Sequence, residues 1–196
     1  LDSSQNAGFG NSVDLDSDFI VVGAPGFCVY PGQWLQPINQ VGAVFVFDLQ
    51  GEIHAPIQIV PDPTAEFARY GSGVAIADDR IVVSSGNDVN WLPELGKQVS
   101  ENTAKLAVFE RQSNAWKAAS DVTWPGISPA DYFGSASPFG ISGSAGSAAG
   151  SIALSHFTLI VGAPGTDRLE ADVGAAYLFE LEGVVQQLIF SDSFES

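Results

Sequence analysis

Ser12-Val13-Asp14-Leu15-Asp16-Ser17-Asp18-Phe19-Ile20-Val21-Val22-Gly23-Ala24-Pro25 decides the fold, because the chain repeats it twice. Gly73-Val74-Ala75-Ile76-Ala77-Asp78-Asp79-Arg80-Ile81-Val82-Val83-Ser84-Ser85-Gly86 aligns with it without gaps, and so does Ser151-Ile152-Ala153-Leu154-Ser155-His156-Phe157-Thr158-Leu159-Ile160-Val161-Gly162-Ala163-Pro164. An aromatic-Gly pair precedes each copy: Phe9-Gly10, Tyr70-Gly71 and Phe133-Gly134, spaced 61 and 63 residues apart. A fixed period of this size marks an array of supersecondary units, none of which can bury its own faces alone.

Within each copy apolar residues alternate (Val13 and Leu15, Val74 and Ile76, Ile152 and Leu154), a polar turn follows, and a run of Val, Ile and Leu completes a β-hairpin. A third strand is expected over residues 41–49, 104–110 and 173–181, with the aligned endings Val44-Phe45-Val46-Phe47, Leu106-Ala107-Val108-Phe109 and Ala176-Tyr177-Leu178-Phe179. A fourth is expected over residues 55–60, 115–119 and 184–190. Pro and Gly punctuate the chain too often for long helices. The pattern predicts an all-β chain of three four-stranded antiparallel propeller blades, a partial β-propeller, with blades at residues 9–60, 70–119 and 133–190 and an acidic tail at 191–196. Gly23 and Gly162 read as sharp-turn positions, Pro25 and Pro164 as strand terminators, and Phe47, Phe109 and Phe179 as packing groups between blades. Three blades cannot surround a channel, so further blades are expected upstream of Leu1.

Seven Lys plus Arg stand against 23 Asp plus Glu, a net charge of −16. That balance argues against nucleic acid and anionic membrane surfaces as partners, since both need positive charge. No apolar stretch approaches the roughly 20 residues that span a bilayer, so no membrane insertion is expected. The single Cys28 excludes an internal disulfide and reads as a buried or half-buried loop thiol.

In an antiparallel meander the loops between second and third strands emerge on one face, and here they are long: residues 26–40, 87–103 and 165–172. The first carries Phe27, Tyr30 and Trp34, the second Trp91. Aromatic residues on loops held by a rigid scaffold suit recognition, so these four form the candidate ligand-binding face. A Gly-, Ser- and Ala-rich insertion at residues 135–150 emerges on the same side. Catalysis finds no motif: no Gly-x-Ser-x-Gly elbow and no metal-binding His pair occur, and the aligned inner-strand positions Asp14, Ala75 and Ala153 supply one carboxylate where paired chemistry needs two. His54 and His156 fall in turns on the opposite face and read as surface residues. The chain is expected not to be an enzyme.

Phe9-Gly10 with Gly23-Ala24-Pro25, and Phe133-Gly134 with Gly162-Ala163-Pro164, resemble the FG-GAP repeat of integrin α chains and of many secreted or surface bacterial proteins. The likeness covers nearly the whole chain and is degraded in the middle copy, where Tyr70 replaces Phe and Ser84-Ser85-Gly86 replaces Gly-Ala-Pro. It implies a β-propeller of about seven blades, extracellular or cell-surface placement, and a binding or adhesion role toward a protein or glycan partner. The alternatives are an accessory propeller of a longer secreted hydrolase and a purely structural array. The tail Ser191-Asp192-Ser193-Phe194-Glu195-Ser196 is similar to a terminal motif of some exported bacterial proteins. Calcium-binding members of the family carry an Asp-rich loop between the first two strands, and Asp14, Asp16 and Asp18 imitate its spacing. Phe19 stands where the closing Asp belongs, however, and alternating carboxylates on a strand do not converge on an ion that takes six to eight oxygens. No cofactor is expected, with calcium at Asp14, Asp16 and Asp18 as the alternative.

Overall fold

The structure is a computed structural model that describes residues 7–30, 40–51, 56–60, 69–85, 90–92, 97–99, 105–123, 125, 133–134, 151–164, 174–181 and 185–190. Three antiparallel four-stranded sheets follow one another along the chain. Sheet 1 holds β1 (Ser12–Leu15), β2 (Phe19–Ala24), β3 (Ala43–Asp48) and β4 (Ile57–Ile59) in that order. Sheet 2 holds β5 (Tyr70–Ala77), β6 (Arg80–Ser85), β9 (Lys105–Gln112) and β10 (Ala115–Thr123), and sheet 3 holds β11 (Ile152–Ser155), β12 (Thr158–Ala163), β13 (Ala175–Glu180) and β14 (Val185–Phe190). These are the expected meanders. A separate hairpin, β7 (Asn90–Leu92) with β8 (Lys97–Val99), occupies the segment expected to be only a loop, and the fourth strand of the middle copy runs on to Thr123.

Registers match across copies. Val13 lies opposite Val22 and Leu15 opposite Ile20, as Val74 lies opposite Val83 and Ile76 opposite Ile81, and Ile152 opposite Val161 and Leu154 opposite Leu159. Because side chains alternate, each sheet has two apolar faces to cover. Sheet 2 sits in the middle of the stack. Its Val74, Ile76, Ile81, Val83 and Phe109 pack on Phe19, Val21, Val44 and Val46 of sheet 1. On its other face Val82, Leu106, Val108 and Val122 pack on Leu159, Val161, Tyr177 and Phe179 of sheet 3. The edge strands succeed one another: β5 packs against β1 and β2, and β11 against β5. A parallel bridge between Gly42 and Tyr70 ties the start of sheet 2 to sheet 1.

The aromatic-Gly pairs have a common construction. Their glycines have φ of 88°, 86° and 69° (Gly10, Gly71, Gly134), the left-handed region that a side chain disfavours. The aromatic ring then turns onto its own third strand: Phe9 on Phe45 at 5.4 Å between ring centroids, Tyr70 on Phe109 at 6.3 Å, and Phe133 on Tyr177 at 5.6 Å, all edge to face. Phe109 and Phe179 do lie between sheets, whereas Phe47 faces outward beside Phe9.

Gly23 and Gly162 correct the sequence reading. Neither is at a turn; both lie inside their strands, and a Cβ on Gly23 would collide with the Gly71 carbonyl of the next sheet and with Ser12 Oγ, while one on Gly162 would meet Ser151 Cβ at 2.9 Å. Close approach, not turning, selects glycine there. Ser12 faces Gly23 across β1 and β2, and Ser151 Oγ donates to the Gly162 carbonyl at 3.0 Å. The middle copy reverses the pair, with Gly73 facing the fully buried Ser84. Pro25 and Pro164 follow directly on the last residues of β2 and β12, as expected.

Candidate functional site

The long-loop face is anchored at its base. Phe27 and Cys28 leave sheet 1 just after Pro25, and the Phe27 ring packs edge-on to Phe45 with centroids 6.0 Å apart. The Phe27 carbonyl accepts from Gly42 N–H at 2.9 Å, and the buried Cys28 sulfur accepts from Gln40 N–H at 3.5 Å. Gln40 in turn receives Arg69 Nε on its Oε1 at 2.9 Å, so the loop stem is fastened to both sheet 1 and the entry to sheet 2. Tyr30, two residues beyond Cys28, is 51 % exposed. Phe27 is therefore part of the stem and Tyr30 is presented outward. Trp34 lies outside the described residues, as does the side chain of Trp91, whose backbone pairs with Gln98 in the β7–β8 hairpin.

The carboxylates of Asp14 and Asp16, both in the first hairpin, accept from separate groups. Asp14 Oδ2 accepts from the Ile76 N–H of sheet 2 at 2.8 Å while Oδ1 accepts from Leu15 N–H at 2.9 Å. Asp16 Oδ1 takes the N–H groups of Asp18 and Phe19, both at 2.8 Å, closing the turn. Among the described residues no group of three or more His, Cys, Asp or Glu side chains could hold a metal ion. Asp14 is thus a latch between sheets: it satisfies an edge-strand donor of β5 that its own ladder cannot reach.

A concavity opens on the side of the short turns. It is a cleft of about 310 Å³ between sheets 1 and 2, lined by Phe19, Val46, Asp48, Ile57, Arg111, Asn114 and Trp116 together with Gly51. Its floor is aromatic, with Phe19 and Trp116 edge to face at 5.5 Å. The Arg111 guanidinium lies over the Phe19 ring at 4.6 Å and reaches Asp79 at 3.8 Å. At the cleft the first copy departs from its siblings. At the aligned first position of the second strand, sheet 2 has Arg80, paired with Glu110 at 3.2 Å, and sheet 3 has Thr158, whose hydroxyl donates to Glu180 at 3.2 Å. Phe19 cannot engage its opposite number Asp48, whose Oδ1 instead accepts from Gln50 N–H at 2.8 Å. Sequence reasoning passed over this site; the signal available to it was an aromatic residue at a position that is polar in both other copies.

The turns of sheets 2 and 3 also meet. His156 Nδ1 stands 2.9 Å from Asp78 Oδ2, both exposed, and the Arg80 guanidinium lies 4.3 Å from the centre of the Phe157 ring. Deeper, Tyr70 is buried, and its hydroxyl finds no hydrogen-bond partner among the described residues. Burial, with the Asp121 charge adding to it, holds the Tyr70 phenol well above its ordinary titration range. Among the described residues no helix is long and apolar enough to cross a membrane. No family model matches this chain, and no curated protein is significantly similar to it.

Proposed function

We propose that the chain is a non-catalytic binding scaffold of FG-GAP-type propeller blades, extracellular or cell-surface, that recognises a protein or glycan partner through its long-loop face. The observation that carries this reading is the stem of the first loop: Phe27 and Cys28 are locked onto sheet 1, and Tyr30 is held outward 51 % exposed. A rigid stem with an exposed phenol supplies contact area at little entropic cost. The radial arrangement is supported by edge strands β1, β5 and β11 lying in succession, and the non-catalytic role by Asp14, the one carboxylate at its inner-strand position, being occupied with backbone N–H groups. The test is binding of the chain to arrays of glycans and of secreted proteins, followed by Tyr30→Ala, Trp34→Ala and Trp91→Ala. Each substitution is expected to weaken the partner at least about tenfold, roughly 1.4 kcal/mol, with an unchanged melting temperature. Lost stability with binding intact would place these rings in the loop core and sink the reading.

A second reading rests on the cleft. An aromatic floor rimmed by Asp48, Asn114 and Arg111 suits a single saccharide unit, whose C–H face can lie on the rings while its hydroxyls meet the polar rim. Asn114→Ala, on an exposed turn, is expected to weaken monosaccharide binding and leave loop-face binding untouched.

A further inference from the structure

The residue after the aligned Phe of each third strand is an acid: Asp48 after Phe47, Glu110 after Phe109 and Glu180 after Phe179. Each lies opposite the first residue of its second strand, which is Phe19, Arg80 and Thr158 in turn. In sheets 2 and 3 that neighbour serves the acid, with Arg80 Nε 3.2 Å from Glu110 and the Thr158 hydroxyl donating to Glu180 at 3.2 Å. The Arg80 guanidinium also lies 4.3 Å from the centre of the Phe157 ring of sheet 3, so one cation touches both a carboxylate and an aromatic ring. Sheet 1 keeps the acid and lacks that cation. The half-buried Asp48 accepts from Gln50 N–H through Oδ1, and among the described residues no cation lies within ion-pair distance of it.

At the first junction the place of that cation is the cleft. Asp48 stands on its wall, and Trp116 and Ile57 are its partly open apolar groups, beside the buried Phe19. Arg111 shares the cleft, but its charge is already met by Asp79 at 3.8 Å and by the Phe19 ring face beneath it. The uncompensated charge of the cleft is therefore the Asp48 carboxylate, and the −16 charge of the chain draws cations, not anions, toward it. We infer, on the saccharide reading of the cleft, that its occupant is an amino sugar. Its ammonium donates to Asp48, its C–H face lies along Trp116 and Ile57, and its hydroxyls meet Asn114. A neutral sugar offers Asp48 hydroxyl donors alone, and an acidic sugar meets it with like charge. The ligand thus brings to sheet 1 the cation that Arg80 supplies to sheet 2 from within the chain.

The test titrates the 196-residue chain at low ionic strength with glucosamine, N-acetylglucosamine and glucose, following the Trp116 indole N–H by NMR. Glucosamine is expected to bind about tenfold more tightly than either neutral sugar, the scale of a hydrogen bond to a charged group. Asp48→Asn retains an acceptor for Gln50 N–H and is expected to abolish that preference while binding the neutral sugars as before. Asp48→Glu, which places in sheet 1 the acid of the other two copies, is expected to keep it. Equal binding of all three sugars by the parent overturns the amino sugar and leaves the saccharide reading of the cleft standing. Neutral sugars weakened by Asp48→Asn as much as glucosamine overturn it too, because Asp48 would then serve a hydroxyl. No shift at Trp116 with any of the three sugars overturns both. N-acetyl-lysine amide bound as tightly as glucosamine would assign the cleft to a lysine of a protein partner and sink the sugar.

Discussion

The two junctions of the stack bury aligned apolar positions of the repeat and are held differently. Between sheets 1 and 2 the apolar contact is reinforced by hydrogen bonds to main-chain groups: Asp14 accepts from Ile76 N–H, Ser12 Oγ donates to the Gly71 carbonyl at 2.9 Å, and Asn11 Nδ2 donates to the Ser72 carbonyl at 3.3 Å. Between sheets 2 and 3 the core is made by Phe133, Tyr177, Leu159 and Val161, and the polar contacts described lie at the exposed turns, His156 with Asp78 and Arg80 over Phe157. The comparison teaches that the repeat fixes which faces meet, while the polar fastening is particular to each junction.

The largest expected effect is on the apolar junction. Phe133→Ala removes a ring packed on both Tyr177 and Phe179, and should lower stability by about 3–5 kcal/mol, measured by urea unfolding. A loss no larger than that of an exposed residue would mean that sheet 3 is not held through this ring. At the polar junction Asp14→Ala orphans the Ile76 N–H and should cost about 1–3 kcal/mol, with Asp14→Asn costing less because its amide oxygen still accepts. Equal costs for the two variants would remove the latch from the account.

Tyr70→Phe sharpens the contrast in the other direction. It deletes a buried hydroxyl and restores the ring found in the other two copies, so stability should hold or rise, by at most about 1–3 kcal/mol. The same group gives a pH effect. The phenol is held above its ordinary value of about 10 in the folded chain, so its contribution is complete below that pH and is lost as pH rises beyond it, because the unfolded chain ionises first. Alkaline unfolding of the parent should therefore be steeper than that of Tyr70→Phe, which a melting series above neutral pH will read. The smallest effect is expected at the exposed turns: His156→Ala should change stability by less than about 1 kcal/mol. A larger loss would show the second junction to depend on its surface contacts after all.

Much of the fold was legible because alternation and period survive alignment of the copies. The strand order, the registers of Val13 with Val22 and Ile152 with Val161, and the termination at Pro25 and Pro164 all follow from patterns within one unit. What was not legible depends on neighbours from another unit. Gly23 looked like a turn residue because nothing in its own hairpin discloses the Gly71 carbonyl behind it. Asp14 read as an inner-strand acid, and only the packing of β5 on β1 brings Ile76 N–H to it. The cleft was hidden for the same reason, since Phe19 and Trp116 are 97 positions apart and come from different sheets. Of the candidate loop face, Phe27 and Tyr30 are placed, while Trp34 and the Trp91 side chain lie outside the described residues.

The paired small residues of the hairpins carry one more consequence. Ser12 with Gly23, Gly73 with Ser84 and Ser151 with Gly162 each spend room for a single hydroxymethyl group, and the strand that supplies it changes from unit to unit. The constraint belongs to the couple and not to either position. A search keyed to Gly-Ala-Pro counts two units in this chain, whereas one that scored the couple would count three, and copies that drift by exchanging partners across a hairpin stay visible to geometry long after a one-letter signature has lost them.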